Sequence, residues 1–468
     1  MPIWERCRDV CNGEESVKLK RTQYLPRPEG MEESEYTHYL ERAEFFNATG
    51  RTVDGLHGQM FRKSMIIDVP EQMKQYLENV DGKGHSFEQF ASDVVYQTLI
   101  TSWGGILIDA PNVQENLSKA DAEKLGIYPF LSYVNEQSLY SWHYDDMARV
   151  KTLTRVGIHT RKEYPTSDPF TFEEKDEYKL LLLDENGNYK QVIKVDGVSV
   201  SEIYPTKGGK EIKHLPFFTV PNTEPENPII KDLANENLAW YRKSADLENG
   251  GHWTGVPTAY ILGYEPEIQY DNEGREKARD PIYLGGSSIL CLPTGTQIGY
   301  LEYQGAGLSQ LRQMMLDDED RMAILGARII SAERKGVEAV ETARIHRSGE
   351  NSVLATFANN MSIIFEKVLK EYLEWITETE ISSDEIKVHI NTDYDVSKMS
   401  SQEVTTIVSA WQSGLISKRV AFEQLREGEI IPSDMKFEEQ EEIISAEKEE
   451  QLQQSLQTQI AMQNVGTE

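Results

Sequence analysis

Hydrophobic residues recur most regularly between residues 228 and 376, where they predict three long helices. The first begins at Pro228, because proline suits the first turn of a helix, where its missing N–H would have no partner. The pair Gly250-Gly251 is predicted to end this helix. Its apolar residues lie at helical spacing: Ile230, Leu233, Leu238, Tyr241 and Leu247.

The second predicted helix runs from Leu308 to Ile330 and separates an apolar face from a polar one. At 1.5 Å per residue it would be roughly 34 Å long, enough to cross a small domain. One face is therefore expected to pack and the other to meet solvent. The apolar positions are Leu308, Leu311, Met315, Met322 and Leu325, and the polar ones are Gln310, Gln313, Asp317 and Asp320.

A small β lobe is predicted between these two helices, and a third helix follows them. The runs Val256–Leu262 and Ser288–Leu292 are rich in β-formers and bounded by Gly and Pro, so they predict a hairpin-like connection. The third helix has an unbroken apolar stripe and is expected in the core. That stripe contains Val353, Phe357, Met361, Ile364, Val368, Tyr372 and Trp375.

Both ends of the chain favour further helices. Residues through Ile67 have mixed helical patterns, and the spacing of Ser86 and Gln89 matches a capping box that starts another helix. Beyond a short strand pattern at Ile386–Ile390, helices are predicted at Ser400–Ser413 and from Ser417.

The segment between about residues 106 and 203 predicts an antiparallel sheet on this helical base. The turn sequence Asp184–Asn188 separates two of its strands and is a strong hairpin signal. The fold class is therefore α+β. The predicted strands are Ile106–Asp109, Val150–Ile158, Tyr178–Leu183, Tyr189–Val195 and Val198–Ile203.

Composition narrows the class of protein. The 468 residues, 39% of them hydrophobic, are enough for about two to four domains. No apolar run approaches the roughly 18–20 residues that a membrane helix needs, and we expect no membrane association and synthesis into a cytoplasm. The three cysteines, Cys7, Cys11 and Cys291, form no CxxC pair, as is typical of a reducing compartment.

The chain is strongly acidic, with 48 Lys and Arg against 78 Asp and Glu and a net charge of −30. A general nucleic-acid-binding protein normally presents a basic surface, so this class is disfavoured. A protein that lets DNA pass without gripping it is compatible with the charge, because carboxylates repel phosphates. The alternative is a soluble protein whose charge serves only solubility.

Catalytic motifs are absent from the sequence. There is no GxxxxGK[ST] loop, HExxH, GxSxG or dinucleotide fingerprint, and we predict no enzymatic activity, catalytic residue, cofactor or metal site. The run Asp317–Asp320 is the one acidic cluster to weigh. Four consecutive helical carboxylates point about 100° apart, so a solvated or channel-facing patch at Asp317 and Asp320 is favoured over a metal or acid–base cluster.

A local excess of cations follows the second helix. Its members have two interpretations: helical ion pairs with Glu333, Glu338 and Glu341, or contacts to a phosphate backbone that do not depend on base sequence. The cations are Arg328, Arg334, Lys335, Arg344 and Arg347.

This order of elements, a helix, a β lobe, a returning helix, a basic loop, a long apolar helix and a helical end, resembles the portal proteins of tailed bacteriophages. Local segments along nearly the whole chain agree with that resemblance. They are Trp4–Val10, Tyr24–Pro28, Arg51–Gly55 with Phe61–Lys63, Asn237–Glu248 and Gly414–Ser417.

The resemblance implies a homo-oligomeric ring, usually a dodecamer, at one capsid vertex. Double-stranded DNA would pass through its axis during packaging and ejection, and the large terminase subunit, a head–tail adaptor and the major capsid or scaffolding protein would be partners. The implied parts are a wing (1–227), a first stem helix (228–254), a clip (255–304), a second stem helix (305–327), a tunnel-loop region (328–347), a long wing helix (348–378) and a crown with a C-terminal tail (379–468).

The expected location is the virion, at the portal vertex, with assembly in the host cytoplasm. Under this hypothesis Asp317 and Asp320 face the channel, and the five cations contact DNA weakly in or near the tunnel loop. Two alternatives stay open: another structural virion protein, such as an adaptor or capsid component, and an enzyme with an unrecognised active site.

Overall fold

The computed structural model has the predicted α+β fold and contains two compact units. The first unit is mainly Arg6–Arg51 with Ile230–Ala327, and the second is mainly Thr52–Ile229 with Arg328–Glu468. The structure describes residues 3–111, 128–147, 150–168, 170–255, 258–263, 274, 294–301, 306–330, 353–392, 394, 401–428, 430–431 and 435–446.

The helices begin and end close to their sequence signals. Ser86 caps one of them as predicted: its hydroxyl accepts from the Gln89 N–H at 3.3 Å, and the Gln89 side chain accepts from the Ser86 N–H at 2.9 Å. The helices are α1 (Ile3–Asn12), α2 (Glu14–Leu19), α3 (Glu33–Arg42), α4 (Ala48–Met60), α5 (Phe87–Thr101), α6 (Lys231–Gly255), α7 (Ala306–Ile330), α8 (Val353–Thr377), α9 (Ser401–Gln412) and α10 (Lys418–Glu427).

The strands pair antiparallel within five sheets of the described chain. The sheet orders are β4-β5-β6-β7-β8, β11-β2-β3, β1-β14, β9-β10 and β12-β13. The strands are β1 (Ile66–Asp68), β2 (Gly104–Asp109), β3 (Phe130–Asn135), β4 (Leu139–Met147), β5 (Val150–Pro165), β6 (Phe172–Leu183), β7 (Tyr189–Val195), β8 (Val198–Ile203), β9 (Thr206–Lys207), β10 (Lys210–Glu211), β11 (Phe217–Val220), β12 (Thr258–Leu262), β13 (Gln297–Leu301) and β14 (Lys387–His389).

In the second unit, α8 supplies the central apolar stripe that the sequence predicts. Phe357, Met361 and Tyr372 are buried along it, and Phe365 packs edge-on against Phe87 with ring centroids 5.9 Å apart. Two stripe residues are not buried: Val353 is 50% exposed, because it is the first residue of the helix, and Ile364 is only partly buried.

The first long helix does not end at Gly250-Gly251, as predicted, but continues to Gly255. The reason is packing: a Cβ on Gly250 would lie 2.5 Å from Cδ2 of Leu308 on α7. Glycine at this position permits a close approach of two helices rather than a helix end. No neighbouring atom lies within 4 Å of the corresponding Cβ position on Gly251.

The β lobe between α6 and α7 has one predicted strand and one that was not predicted. β12 begins at Thr258, inside the predicted run Val256–Leu262, and pairs with β13 from Leu262↔Gln297 to Thr258↔Leu301. The predicted run Ser288–Leu292 lies outside the described residues. β13 was missed because Gly299 interrupts its apolar alternation.

Candidate functional site

The helix pair α6–α7 forms the centre of the first unit. Its apolar core consists of Leu233 and Trp240 from α6 and Met315 and Met322 from α7. Partly buried side chains that pack against this core are Ala48, Leu247 and Leu325. The predicted apolar face of α7 is therefore confirmed as a helix–helix contact.

Polar side chains fix how the two helices align. Arg321 donates to Glu236 at 2.9 Å, and the Trp240 indole N–H donates to Glu319 at 3.0 Å. Lys243 forms an ion pair with Asp318, which is fully buried. Higher residue numbers on α6 pair with lower residue numbers on α7, so the two helices run antiparallel.

The other side of α6 is held by the N-terminal helices of the same unit. The buried Asn237 side chain accepts from the Thr49 N–H and hydroxyl at 3.0 and 2.9 Å and donates to the Phe46 carbonyl at 2.8 Å. The Tyr39 hydroxyl donates to Asp246 at 2.6 Å. The segment Asn237–Glu248 therefore anchors α6 on two sides.

The solvent-facing side of α7 carries the predicted carboxylates. Asp317 and Asp320 are exposed, and Gln313 donates to Asp317 at 3.0 Å. Asp318, between them, points into the helix pair instead, so the Asp317–Asp320 run does not form one cluster. Whether the exposed pair faces a channel stays a prediction.

The predicted cations are only partly within the described chain. Arg328 lies in the last turn of α7 and is exposed, where a cation interacts favourably with the helix dipole. The other four, Arg334, Lys335, Arg344 and Arg347, lie outside the described residues, as do Glu333, Glu338 and Glu341. Neither interpretation of the basic segment is therefore tested.

The antiparallel strand pair β12–β13 lies between α6 and α7 along the chain and presents apolar side chains to solvent. Tyr260 and Leu262 on β12 and Ile298 and Tyr300 on β13 are all exposed. The register places Tyr260 beside Gly299, so the two exposed tyrosines lie on opposite faces. The strand pair therefore exposes apolar side chains on both of its faces.

The described residues contain no group of three or more His, Cys, Asp or Glu side chains placed to hold a metal ion. No helix among them combines the length and apolar character needed to cross a membrane. His252, near the end of α6, is exposed and contacts Trp253 edge-on.

Comparison with known proteins gives one family match. Residues 229–376, which contain α6, the β lobe, α7 and α8, match the family described as "Domain of unknown function (DUF4055)". No curated protein matches the chain.

Solved structures with a similar chain include chains of gene transfer agent (GTA) particles. A chain of the native GTA virion is 10% identical, with 88% of this chain and 98% of that chain covered and a TM-score of 0.41. A chain from the neck of an empty GTA particle with C6 symmetry is 11% identical, with 86% and 98% covered and a TM-score of 0.40. Both TM-scores lie below 0.5, so the likeness does not establish a shared fold.

Proposed function

We propose that this chain is the subunit of a ring-shaped phage portal, through which double-stranded DNA enters and leaves a capsid. The observation that carries the proposal is the antiparallel helix pair α6–α7, which has the strand pair β12–β13 between its helices along the chain and bears exposed Asp317 and Asp320. This is the helix–lobe–helix order that the sequence resemblance implies for a portal stem and clip.

The mechanism follows from charge and symmetry. A ring of identical subunits repeats each exposed carboxylate around the axis, so an acidic lumen repels phosphates and prevents tight binding. A few cations, Arg328 and those of the following segment, give weak contacts that do not depend on base sequence. DNA thereby slides instead of being held.

The strand pair β12–β13 is the proposed docking surface for partners. Its exposed tyrosines and aliphatic side chains suit contacts with the large terminase subunit during packaging and with a head–tail adaptor afterwards. Contacts with the major capsid or scaffolding protein complete the proposed set. The chain acts as a structural protein at the portal vertex of the virion, with no catalytic step of its own, after assembly in the host cytoplasm.

The test is packaging with reversed loop charges. Arg344→Glu with Arg347→Glu is expected to leave ring assembly intact and to reduce the DNA packaged into empty capsids. Lys83→Glu with Lys210→Glu is the matched control, because both lysines are exposed on the second unit. Unchanged packaging by the loop variant means that these arginines do not contact DNA.

Failure of the unmodified chain to form rings contradicts the portal proposal itself. Incorporation into virions without any effect on packaging favours the alternative, an adaptor or capsid component.

A further inference from the structure

The β5–β6 hairpin continues well beyond the sheet to which it belongs. β4 pairs with β5 only from Val150 to Ile158, and β7 pairs with β6 only from Glu177 to Leu183. Pairing of β5 with β6 nevertheless extends to Pro165↔Phe172. Residues 160–176 therefore form an arm with no other strand beside most of it, roughly 20 Å long at about 3.3 Å per residue.

The tip of this arm displays two phenylalanines on an ordered turn. Phe170 is 91% exposed and Phe172 is 62% exposed. The Phe170 N–H donates to the Asp168 carboxylate at 3.0 Å, and the Thr166 N–H donates to the Thr171 carbonyl at 3.2 Å. These hydrogen bonds restrain the backbone on both sides of the tip, so binding would order mainly the two phenylalanine side chains.

A groove of about 750 Å³ lies in the same unit, beside the other end of β5. Leu153, Phe218, Pro221 and Ile363 give it an apolar lining, and Ile363 is 50% exposed although it belongs to the core helix α8. The volume lies within the roughly 300–1,000 Å³ typical of sites that enclose a drug-sized group, so an aromatic side chain has room.

The tip cannot enter the groove of its own chain. Lys151 and Leu153 line the groove at the start of β5, whereas Pro165 ends the same strand at the tip. Fourteen residues of extended chain separate Lys151 from Pro165, up to about 45 Å. The two features therefore lie at opposite ends of one rigid element, as a head-to-tail contact requires.

Charge also permits a second copy as the occupant. The arm has five carboxylates, on Glu163, Asp168, Glu173, Glu174 and Asp176, against the cations Arg161, Lys162 and Lys175, and its outer part, residues 163–174, has no Lys or Arg. The charged side chains at the groove are two lysines and two glutamates, Lys151, Lys367, Glu224 and Glu226. In a chain of net charge −30, this neutral groove is a surface on which an acidic tip meets little repulsion.

We propose that Phe170 and Phe172 of one copy insert into the groove at Ile363 of a neighbouring copy. Each subunit then gives a tip on one side and receives one on the other, which is a heterologous contact, the kind that builds a ring when its rotation closes. The contact involves only copies of this chain, so its test does not depend on whether DNA passes through the assembly.

The test is a cysteine cross-link. In a chain with Cys11→Ser and Cys291→Ser, the pair Phe170→Cys and Ile363→Cys is expected to give a ladder of disulfide-linked multimers. The control replaces Ile363→Cys by Val198→Cys, because Val198 on β8 is more exposed, at 68%. A control ladder equal to that of the test pair contradicts the contact, as does the absence of linked multimers.

A second readout uses truncation of the tip. Phe170→Ser with Phe172→Ser removes only exposed side chains and is expected to weaken self-association at least about tenfold, the size typical of aromatic hot spots. Ile363→Ser should act in the same direction. Variants that still form the same oligomer would overturn the proposal, and so would an unmodified chain that is always monomeric. A tip variant that self-associates normally but no longer binds a different capsid protein would also overturn it.

Discussion

Lys243 on α6 and Asp318 on α7 form an ion pair in the middle of the helix pair, and the Asp318 side chain is fully buried. The other carboxylate oxygen of Asp318 lies 3.4 Å from a guanidinium nitrogen of Arg321, without hydrogen-bond geometry. A buried carboxylate with one strong partner depends on that partner, because neither charge is well hydrated. This pair therefore fixes the alignment of the two helices.

Replacing one member of the pair should destabilise the first unit. We expect Asp318→Ala to lower the free energy of unfolding by about 3 kcal/mol, since it leaves the largely buried Lys243 without its partner. Asp317→Ala is the matched control, because its exposed side chain should change stability by less than about 0.5 kcal/mol. Equal effects in urea denaturation would show that the pair does not hold the helices.

The two adjacent glycines of α6 should respond differently to alanine. Gly251→Ala is expected to stabilise the helix by about 0.5–1 kcal/mol, because its Cβ position is open and alanine has the higher helix propensity. Gly250→Ala should stabilise the protein less than Gly251→Ala does, because the added Cβ would displace the Leu308 side chain. The measurement is thermal unfolding, and a Leu308→Ala background should remove the difference between the two variants.

His214 gives the second unit a pH dependence of stability. The hydrogen bond to Glu371, with His214 Nε2 and Glu371 Oε1 2.6 Å apart, raises the pKa of His214 above its ordinary value of 6.5. The folded state therefore binds the His214 proton more tightly than the unfolded state does. The resulting stabilisation is fully present below pH 6.5 and is lost as the pH rises through the raised pKa.

Denaturation of His214→Gln as a function of pH measures this contribution. The stability difference from the unmodified chain should be largest in mild acid and shrink above neutral pH. Glu371→Gln should show the same trend, because it removes the other partner. A difference that is constant across this pH range would contradict the assignment.

Reversing the exposed charges of α7 tests the acidic-lumen mechanism. Asp317→Lys with Asp320→Lys is expected to make the assembled protein retain double-stranded DNA, and added salt should release it as counterions compete. Glu29→Lys with Glu185→Lys changes the net charge equally at exposed sites outside α7 and serves as control. Retention by both variants in a filter-binding assay would assign the effect to net charge alone.

The main helices were predictable because their apolar residues follow one period over many turns, as Phe357, Met361 and Val368 do on α8. The Lys243–Asp318 pair was not predicted, although a signal existed. Met315 and Met322 are seven residues apart, and Asp318 occupies the position between them on the same face. A carboxylate inside an apolar stripe indicates a buried partner, which a second helix must supply.

The arm of β5 was predicted only as far as Ile158 because its outer half has polar residues on both faces. The residues from Arg161 to Glu163 show no alternation, since no core lies beneath them, and only pairing with β6 defines them as strand. The predicted seven-part division into wing, stem, clip, tunnel loop and crown stays a prediction. It presupposes contacts between copies of the chain, of which a single sequence contains no direct record.

The most direct test of the portal proposal is electron microscopy of the purified chain at high concentration. The proposal predicts closed rings of identical subunits around a central hole, with the α6–α7 pair along the hole. Particles that remain compact monomers, with no ring at any concentration, would contradict it.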